Sequence, residues 1–243
     1  MKNNKKLNFK KLILFILIII LCIYSLFKFN SKIQIITQNF HTVSSTKNSS
    51  YSGIGQEYVS NKDGYFSTFT TIDEHKKIYI EYKQNGNASW ANNSYWGGTM
   101  WENGCGITCL SIIVSGYGGN VTPEDLRKKY YPVLDGEDFS YVLKTSYNID
   151  NTGFLYDTTY FSNDYILNWL KSNRPVLVCV WNKPNNNRWT TASHYMVLLA
   201  CDDNNKVYVS NPNGGKHDSK SSGWYDIDEI TPYIAKVLFI NDY

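Results

Sequence analysis

Apolar and polar positions in the second half of the chain follow patterns that change from helical to strand-like. Cys105 to Ser115 (CGITCLSIIVS) is rich in apolar residues and stops at Gly116, which predicts a buried helix. Thr122-Pro123-Glu124-Asp125 supplies a cap, a proline in the first turn and a capping acid, so we expect a short helix to about residue 130. Another helix start at Ser162 to Asp164 is followed by an amphipathic pattern that ends before Arg174-Pro175.

The remaining apolar runs are typical of strands. Strands are predicted at Ile78 to Tyr82, Val176 to Trp181, His194 to Cys201, Lys206 to Ser210 and Lys236 to Ile240. The strands His194 to Cys201 and Lys206 to Ser210 are joined by Asp-Asp-Asn-Asn, which indicates a hairpin. A last helix or turn is expected near residues 226–231. Because helices come first and strands cluster later, the pattern predicts an α+β fold whose antiparallel sheet packs on the helix that begins at Cys105.

The longest apolar run, Leu12 to Phe27, has sixteen residues without a charge. It is slightly shorter than the ~20 residues that cross a bilayer core, but Lys11 and Lys28 can extend to the two interfaces. A cleaved signal peptide and a buried core helix are the alternatives. No small-x-small cleavage site follows the run, which favours a retained anchor. Five lysines precede the run, so we expect the N-terminus in the cytoplasm and the rest outside.

These patterns divide the chain into four parts. We expect a basic cytoplasmic tail at 1–11, a transmembrane signal anchor at 12–29, an extracytoplasmic stalk at 30–64 and a folded domain at 65–243. The stalk is assigned because this part of the sequence is rich in Ser, Thr, Asn and Gly and has little periodicity.

Composition and charge exclude several classes of protein. The chain has 243 residues, 42% hydrophobic and 16% aromatic, with a mean hydropathy of −0.37, which excludes a disordered chain, a collagen and a polytopic membrane protein. The net charge is +3, but five lysines lie in the first eleven residues, and the remainder carries −2. We therefore expect no nucleic-acid partner.

The five cysteines show no metal-site spacing and no Cys-x-x-Cys pair, so we expect no metal and no cofactor. Cys22 lies in the apolar run. Cys179 and Cys201 lie in strand-like runs and are interpreted as reduced, structural residues, as is Cys109 in the helix.

Cys105 differs because it stands between two glycines where an irregular segment becomes a helix. Unpaired N–H groups and the helix dipole favour an anion there, which predicts a thiol with a lowered pKa. Of the four histidines, His194 alone opens an apolar strand after a polar loop, which suits a base at the edge of a cleft. A packed cysteine and a structural histidine are the alternatives.

The predicted hairpin adds a third residue to this pair. With a connection of two or four residues, His194 and Asn211 fall on the same face of neighbouring strands. A cysteine nucleophile, an imidazole base and an amide that orients the ring form an acyl-transfer triad. Asn211 precedes Pro212, so a turn-forming role is the alternative.

Several short motifs together resemble those of stand-alone relatives of the bacteriocin-processing, double-glycine leader peptidases, which are papain-like cysteine peptidases. The motifs extend from about residue 80 to the end: Trp90-Ala91, Gly104-Cys105-Gly106-Ile107-Thr108, Thr122-Pro123-Glu124-Asp125-Leu126, Arg174-Pro175-Val176, Ser193-His194-Tyr195-Met196-Val197-Leu198 and Asn211-Pro212. The chain departs from the family at Ile107, where proline is usual, and at Asn211, where aspartate is frequent.

The resemblance implies a papain-like fold and a Cys105, His194 and Asn211 triad. An oxyanion hole needs a side-chain donor beside the backbone N–H of Cys105. By resemblance we assign it to Gln84, with Asn103 as the rival. Trp90, Trp96 and Trp101 are candidates for lining the cleft.

The sequence therefore predicts a membrane-anchored, extracytoplasmic cysteine peptidase whose partner is a peptide or protein substrate outside the cell. Two alternatives stay open. One is a papain-like hydrolase of amide bonds in cell-wall muropeptides, and the other is a catalytically silent peptide-binding module of the same fold.

Overall fold

The computed structural model describes residues 55–61, 64–71, 77–130, 134, 136–184, 188–213 and 222–241. The predicted anchor at 12–29 and the basic tail at 1–11 lie outside these residues. Within the described ranges, no helix has the length and apolar character needed to cross a membrane.

A small antiparallel sheet comes first in the described chain. It is formed by β1 (Gly55–Asn61), β2 (Gly64–Thr70) and β3 (Ile78–Glu81), in that order. Strand β1 lies inside the segment predicted as a stalk, and residue-by-residue pairing with β2 begins at Gly55. The boundary expected at residue 65 therefore differs from the structure, because the backbone of β1 is paired by β2 rather than left to solvent.

A short hairpin leads into the central helix. Strands β4 (Ser94–Tyr95) and β5 (Gly98–Thr99) pair with each other, and α1 (Met100–Asn103) follows directly. Gly104 ends α1 and begins α2 (Cys105–Gly116), in which every residue after Cys105 is buried. The predicted helix is confirmed, and its N-terminus is held by the preceding hairpin.

Three more helices follow: α3 (Pro123–Tyr130), α4 (Gly136–Tyr147) and α5 (Asn163–Lys171). The caps predicted for two of them are present. Thr122 and Asp125 exchange hydrogen bonds at the start of α3, and the Ser162 hydroxyl accepts from the Tyr165 N–H at the start of α5. Single 3₁₀ turns lie at Thr158–Phe161, Ile227–Glu229 and Thr231–Tyr233.

The main sheet has six antiparallel strands in the order β10-β9-β8-β7-β11-β6. Their ranges are β6 (Asn151–Leu155), β7 (Val176–Trp181), β8 (Ser193–Cys201), β9 (Lys206–Ser210), β10 (Gly223–Asp226) and β11 (Ile234–Ile240). The α+β fold with an antiparallel sheet is thus confirmed.

Strand β8 has a hydrophobic layer on each side. Tyr195 and Val197 belong to the core built on α2, whereas Met196 and Leu198 belong to the core built on α5. This alternation follows from the two-residue period of a strand. Burial on both faces explains why the sequence of β8 is a continuous apolar run after its first residues.

Candidate active site

Cys105 is the first residue of α2, and its side chain is partly exposed. Gly104 precedes it without a side-chain cap. Backbone N–H groups of Tyr195, Gly106 and Cys105 itself form hydrogen bonds that favour a thiolate. The helix start therefore presents donors to the sulfur, as the sequence predicted.

Burial nevertheless raises the pKa of the Cys105 thiol above its ordinary value of 9.0. The expectation of a lowered pKa was wrong. Removing the charged sulfur from water disfavours the thiolate more than the three N–H donors favour it. The sequence indicates the donors but does not show how deeply the neighbouring elements enclose the thiol.

His194 lies near the start of β8 and is 6% exposed. Its Nε2 lies 2.8 Å from Oδ1 of Asn211, which follows β9. The two side chains are therefore in contact, although a register shift between Leu198 and Ala200, which the predicted hairpin did not include, is what brings them onto one face. The catalytic roles of the two residues stay a prediction.

Asn211 fixes the tautomer of this histidine. Its Oδ1 also accepts the backbone N–H of Asn213 at 2.9 Å, and since that N–H can only donate, the oxygen end of the amide faces His194. The Nε2 of His194 therefore carries the hydrogen. In the neutral ring Nδ1 then holds a lone pair, which is what a base for the Cys105 thiol needs.

Lys83 and Ser222 hold Asn211 in place. The Nζ of Lys83 donates to the Asn211 carbonyl at 2.6 Å and to the Ser222 hydroxyl at 2.9 Å, and the Asn211 N–H donates to that same hydroxyl at 3.0 Å. Neither residue was predicted from the sequence. Each is more than ten residues from Asn211, and no local motif indicates such contacts.

Burial lowers the pKa of His194 from 6.5 to about 4. The nearby positive charge of Lys83 acts in the same direction, and the Asn211 hydrogen bond opposes it. With the thiol pKa raised and the imidazole pKa lowered, both groups are neutral at neutral pH, a thiol and an imidazole rather than a thiolate and an imidazolium.

The thiol and the imidazole approach the same end of β8. The Cys105 sulfur accepts from the N–H of Tyr195, the residue that follows His194. The structure describes the side chains of both Cys105 and His194, and no hydrogen bond joins the thiol to the imidazole ring. Catalytic contacts are often long without substrate and shorten when it binds, so this separation is compatible with proton transfer in a complex.

Gln84 forms hydrogen bonds with α1, just before the nucleophile, and with the segment that follows Asn211. Its buried side chain donates from Nε2 to the Trp101 carbonyl at 2.7 Å, and its N–H donates to the Pro212 carbonyl at 2.8 Å. Its second amide hydrogen makes no hydrogen bond to a described residue, and its Oε1 is buried without one. The rival Asn103 uses its Nδ2 for the carbonyls of Tyr95 and Trp96, at 3.4 and 3.0 Å, which leaves it no hydrogen to donate.

A cavity of about 90 Å³ opens beside the Cys105 thiol. It is lined by Tyr95, Trp96, Glu102, Asn103, Cys105, Gly106, Leu134, Phe139, Ser193 and Tyr195. Of the three tryptophans proposed for the cleft, Trp96 lines this cavity. Trp90 is buried in the core built on α2, and Trp101 is not among the lining residues.

The other described cysteines are all free thiols: Cys109 and Cys179 are buried and Cys201 is partly buried. Within the described ranges, no group of three or more His, Cys, Asp or Glu side chains is arranged to hold a metal ion.

Comparison with known proteins places the chain in a family. The model of the Peptidase_C39 like family matches residues 79–230, well over half of the chain, and the chain belongs to this family of papain-like cysteine peptidases. The resemblance seen in the sequence is confirmed. A solved structure of a C39-like peptidase from Bacillus anthracis is similar, with 13% identity and a TM-score of 0.42, over 58% of this chain and 90% of that chain. No curated protein matches the chain.

Proposed function

We propose that this protein is a cysteine peptidase that hydrolyses peptide bonds with Cys105 as nucleophile, His194 as base and Asn211 as the residue that orients the imidazole. The observation that carries the proposal is the 2.8 Å contact between His194 Nε2 and Asn211 Oδ1. It leaves the lone pair on Nδ1 at the end of β8 where the Cys105 thiol binds the Tyr195 N–H. Family membership supports the same chemistry.

The first half-reaction forms a thioester. His194 Nδ1 takes the thiol proton while the sulfur of Cys105 adds to the substrate carbonyl carbon, which becomes tetrahedral with a negatively charged oxygen. The imidazolium then gives that proton to the leaving nitrogen. The C–N bond breaks, the amine departs, and the acyl group stays on the sulfur.

The oxyanion requires donors that are already in place. The N–H of Cys105 at the start of α2, which faces the sulfur in the resting site, would be one of them. The second is the remaining amide hydrogen of Gln84, whose other hydrogen is held by the Trp101 carbonyl. Such fixed donors contribute about 3 kcal/mol each to stabilising the transition state in other acyl-transfer enzymes.

The second half-reaction reverses these roles. His194 Nδ1 takes a proton from water, the resulting hydroxide oxygen adds to the thioester carbon, and the C–S bond breaks. The proton returns to the Cys105 sulfur, and the product leaves as a carboxylic acid. Throughout, Asn211 accepts the Nε2 hydrogen and keeps the ring in one orientation.

We further propose that the catalytic domain is tethered to the outside of the cell membrane. Residues 12–29 would be the anchor, residues 1–11 the cytoplasmic tail, and the segment from residue 30 to the first strand a spacer. The substrate would then be a peptide or protein outside the cell. A reporter fused after Tyr243 should be active outside the cell and stay with the membrane fraction, whereas release of the whole domain into the medium would replace the anchor with a cleaved signal.

The peptidase proposal is tested by incubating the full-length chain with a mixed-sequence peptide library and, separately, with purified muropeptides. We expect new amine termini with the wild type and none with Cys105→Ala. Cys201→Ala is the matched control, since it removes a partly buried thiol at the far end of β8 and should keep full activity. Cleavage restricted to muropeptides would favour the cell-wall hydrolase. Tight peptide binding that is equal with and without Cys105, with no turnover, would favour a silent binding module.

A further inference from the structure

The hairpin before α1 contains a strained residue beside the nucleophile. Tyr95 pairs with Gly98, so Trp96 and Gly97 form a two-residue turn, and their φ angles are 45° and 74°. Positive values at both positions are those of a type I′ turn, which favours Asn-Gly or Gly-Gly. A tryptophan in this left-handed region is a conformational outlier, and such outliers cluster at functional sites.

The indole ring of Trp96 does not contribute to the folded core. It is 54% exposed, and within the described chain no ring stacks on it and no side chain bonds its Nε1. Its one described hydrogen bond is made by the backbone carbonyl, which accepts from Asn103 Nδ2 at 3.0 Å. A bulky ring has thus been placed at a strained position without a packing role.

The turn is fixed relative to Cys105. Asn103 binds the carbonyl of Trp96 and lies two residues before the nucleophile, and Gly98 is so close to α1 that an added Cβ would lie 2.6 Å from Glu102 Oε2. The indole is therefore held at the rim of the cavity that contains the thiol, rather than carried on a mobile loop.

Glu102 provides the charge at the same rim. Its Oε2 accepts the Thr99 N–H at 2.8 Å and the Thr99 hydroxyl at 3.0 Å, while no described residue binds Oε1. Among the described residues that line the cavity, Glu102 is the one charged side chain. The mouth of the cavity therefore combines an aromatic face with a carboxylate, and this pairing attracts cations.

We propose that Trp96 and Glu102 form the subsite for a lysine or arginine side chain of the peptide substrate. The inference rests on the proposed peptidase function and assigns its specificity. The cavity of about 90 Å³ opens beside the Cys105 thiol and takes the group next to the scissile bond. A long basic side chain instead lies across the mouth, with its alkyl part and charge on the indole and its N–H groups toward Oε1 of Glu102.

The test begins with the peptide library digested by the full-length wild type, where mass spectrometry should show lysine and arginine enriched at one position close to the cleaved bond. Two quenched peptides, identical except for lysine or norleucine at that position, then give kcat and KM. A cation on an exposed ring is worth about a two- to fivefold change in binding, so the lysine peptide should have the lower KM by that factor.

Two variants separate binding from structure. Glu102→Gln keeps an acceptor for the Thr99 cap but removes the charge, and it should reduce the preference for lysine to the part that the Trp96 ring supplies. Trp96→Asn should raise the melting temperature, because Asn-Gly suits the turn, yet raise KM for the lysine peptide two- to fivefold with kcat unchanged. Asp164→Asn and Tyr141→Asn, at exposed positions on α5 and α4, are the controls and should change neither constant.

The possible failures are distinguishable. If the wild type cleaves the library without any preference for basic residues, the subsite is wrong and the peptidase function stands. If Trp96→Asn lowers the melting temperature and leaves KM unchanged, Trp96 is a structural residue. If the wild type and Cys105→Ala release the same products, the peptidase function fails, and the subsite fails with it.

Discussion

The Nε2 atom of His194 lies 2.8 Å from the Oδ1 atom of Asn211, across the hairpin of β8 and β9. The same oxygen accepts the N–H of Asn213, which fixes the orientation of the amide and therefore the tautomer of the imidazole. In this arrangement the amide does no chemistry itself. It determines which ring nitrogen is basic, and burial determines at what pH that nitrogen is free.

The pH profile of kcat/KM follows from the pKa of His194. Because burial lowers that pKa to about 4, the base is neutral above that pH, and kcat/KM should rise through pH 4 and level off by about pH 5. Asn211→Asp places a carboxylate beside the ring, which favours the imidazolium and should move the rise to higher pH. A wild-type rise centred near 6.5, or no displacement in Asn211→Asp, would contradict this account.

The same pKa makes folding stability depend on pH. In the unfolded chain His194 titrates near 6.5, so between pH 6.5 and 4 the unfolded state binds the proton and the native state does not. The native state is therefore fully favoured above pH 6.5 and loses this contribution as pH falls toward 4. Between pH 7 and 4.5 the loss is about 2 to 3 kcal/mol.

Urea unfolding of the wild type and His194→Gln at the two pH values measures this contribution. Carboxylates that titrate in both proteins cancel in the comparison. We expect the wild type to lose about 2 to 3 kcal/mol more than the variant on acidification. Equal losses would show that His194 is not buried as a neutral imidazole.

Alkylation of Cys105 tests the neutral resting pair. With the thiol pKa raised by burial, the rate of reaction with iodoacetamide should increase about tenfold per pH unit from pH 6 to 8, as the thiolate fraction does. Peptide mapping by mass spectrometry follows each cysteine, and Cys201 gives the comparison for another partly buried thiol. A Cys105 rate that is high and constant between pH 5 and 8 would instead indicate a thiolate–imidazolium pair.

Gly106→Ala tests the wall of the cavity. A Cβ at this position would lie 2.3 Å from Cζ of Phe139, well inside contact distance. We expect a loss of about 1 to 3 kcal/mol in the free energy of unfolding, measured in urea. Adding Phe139→Leu to the Gly106→Ala variant removes the ring edge and should restore part of the lost free energy of unfolding. If it restores none, the contact with Phe139 is not the cause of the loss.

Elements with a strong local pattern were predictable from the sequence. Val176 to Trp181 was predicted as a strand, and β7 has these bounds, because a continuous apolar run between Arg174-Pro175 and a polar loop has one compatible structure. Lys206–Ser210 was likewise predicted without error. Here local propensity and burial agree.

Elements whose pattern is weak or interrupted were missed. Helix α4 buries Phe139, Val142 and Leu143 at helical spacing, but polar residues and a starting glycine conceal the pattern. Strand β6 contains Gly153 at φ 72°, and its pairing with β11 is irregular, so it lacks a two-residue period. Strand β10 has no buried position, unlike the equally short β3, so its sequence lacks the alternation that a half-buried strand shows.

In the candidate site, too, some features were predictable from the sequence and others were not. His194 and Asn211 do lie together, but the pairing beside the turn, Cys201 with Val207, has the wrong parity for this, and the register shift between Leu198 and Ala200 brings the two residues onto one face. The contacts of Lys83 with Asn211 and Ser222 span more than a hundred residues and depend on the tertiary fold. The pKa of Cys105 was predicted in the wrong direction because desolvation depends on what encloses the sulfur, which the sequence does not display.

The central claim is that Cys105 and His194 act as one catalytic unit, and a double-variant cycle on one cleaved peptide tests it most directly. We measure kcat/KM for the wild type, Cys105→Ala, His194→Ala and the double variant, with folding of each checked by circular dichroism. The account predicts that both single variants and the double variant share the same residual rate, because removing either member disables the unit. The account would be contradicted if the fold-loss in kcat/KM of the double variant equalled the product of the two single fold-losses. A His194→Ala variant with wild-type activity would contradict it as well.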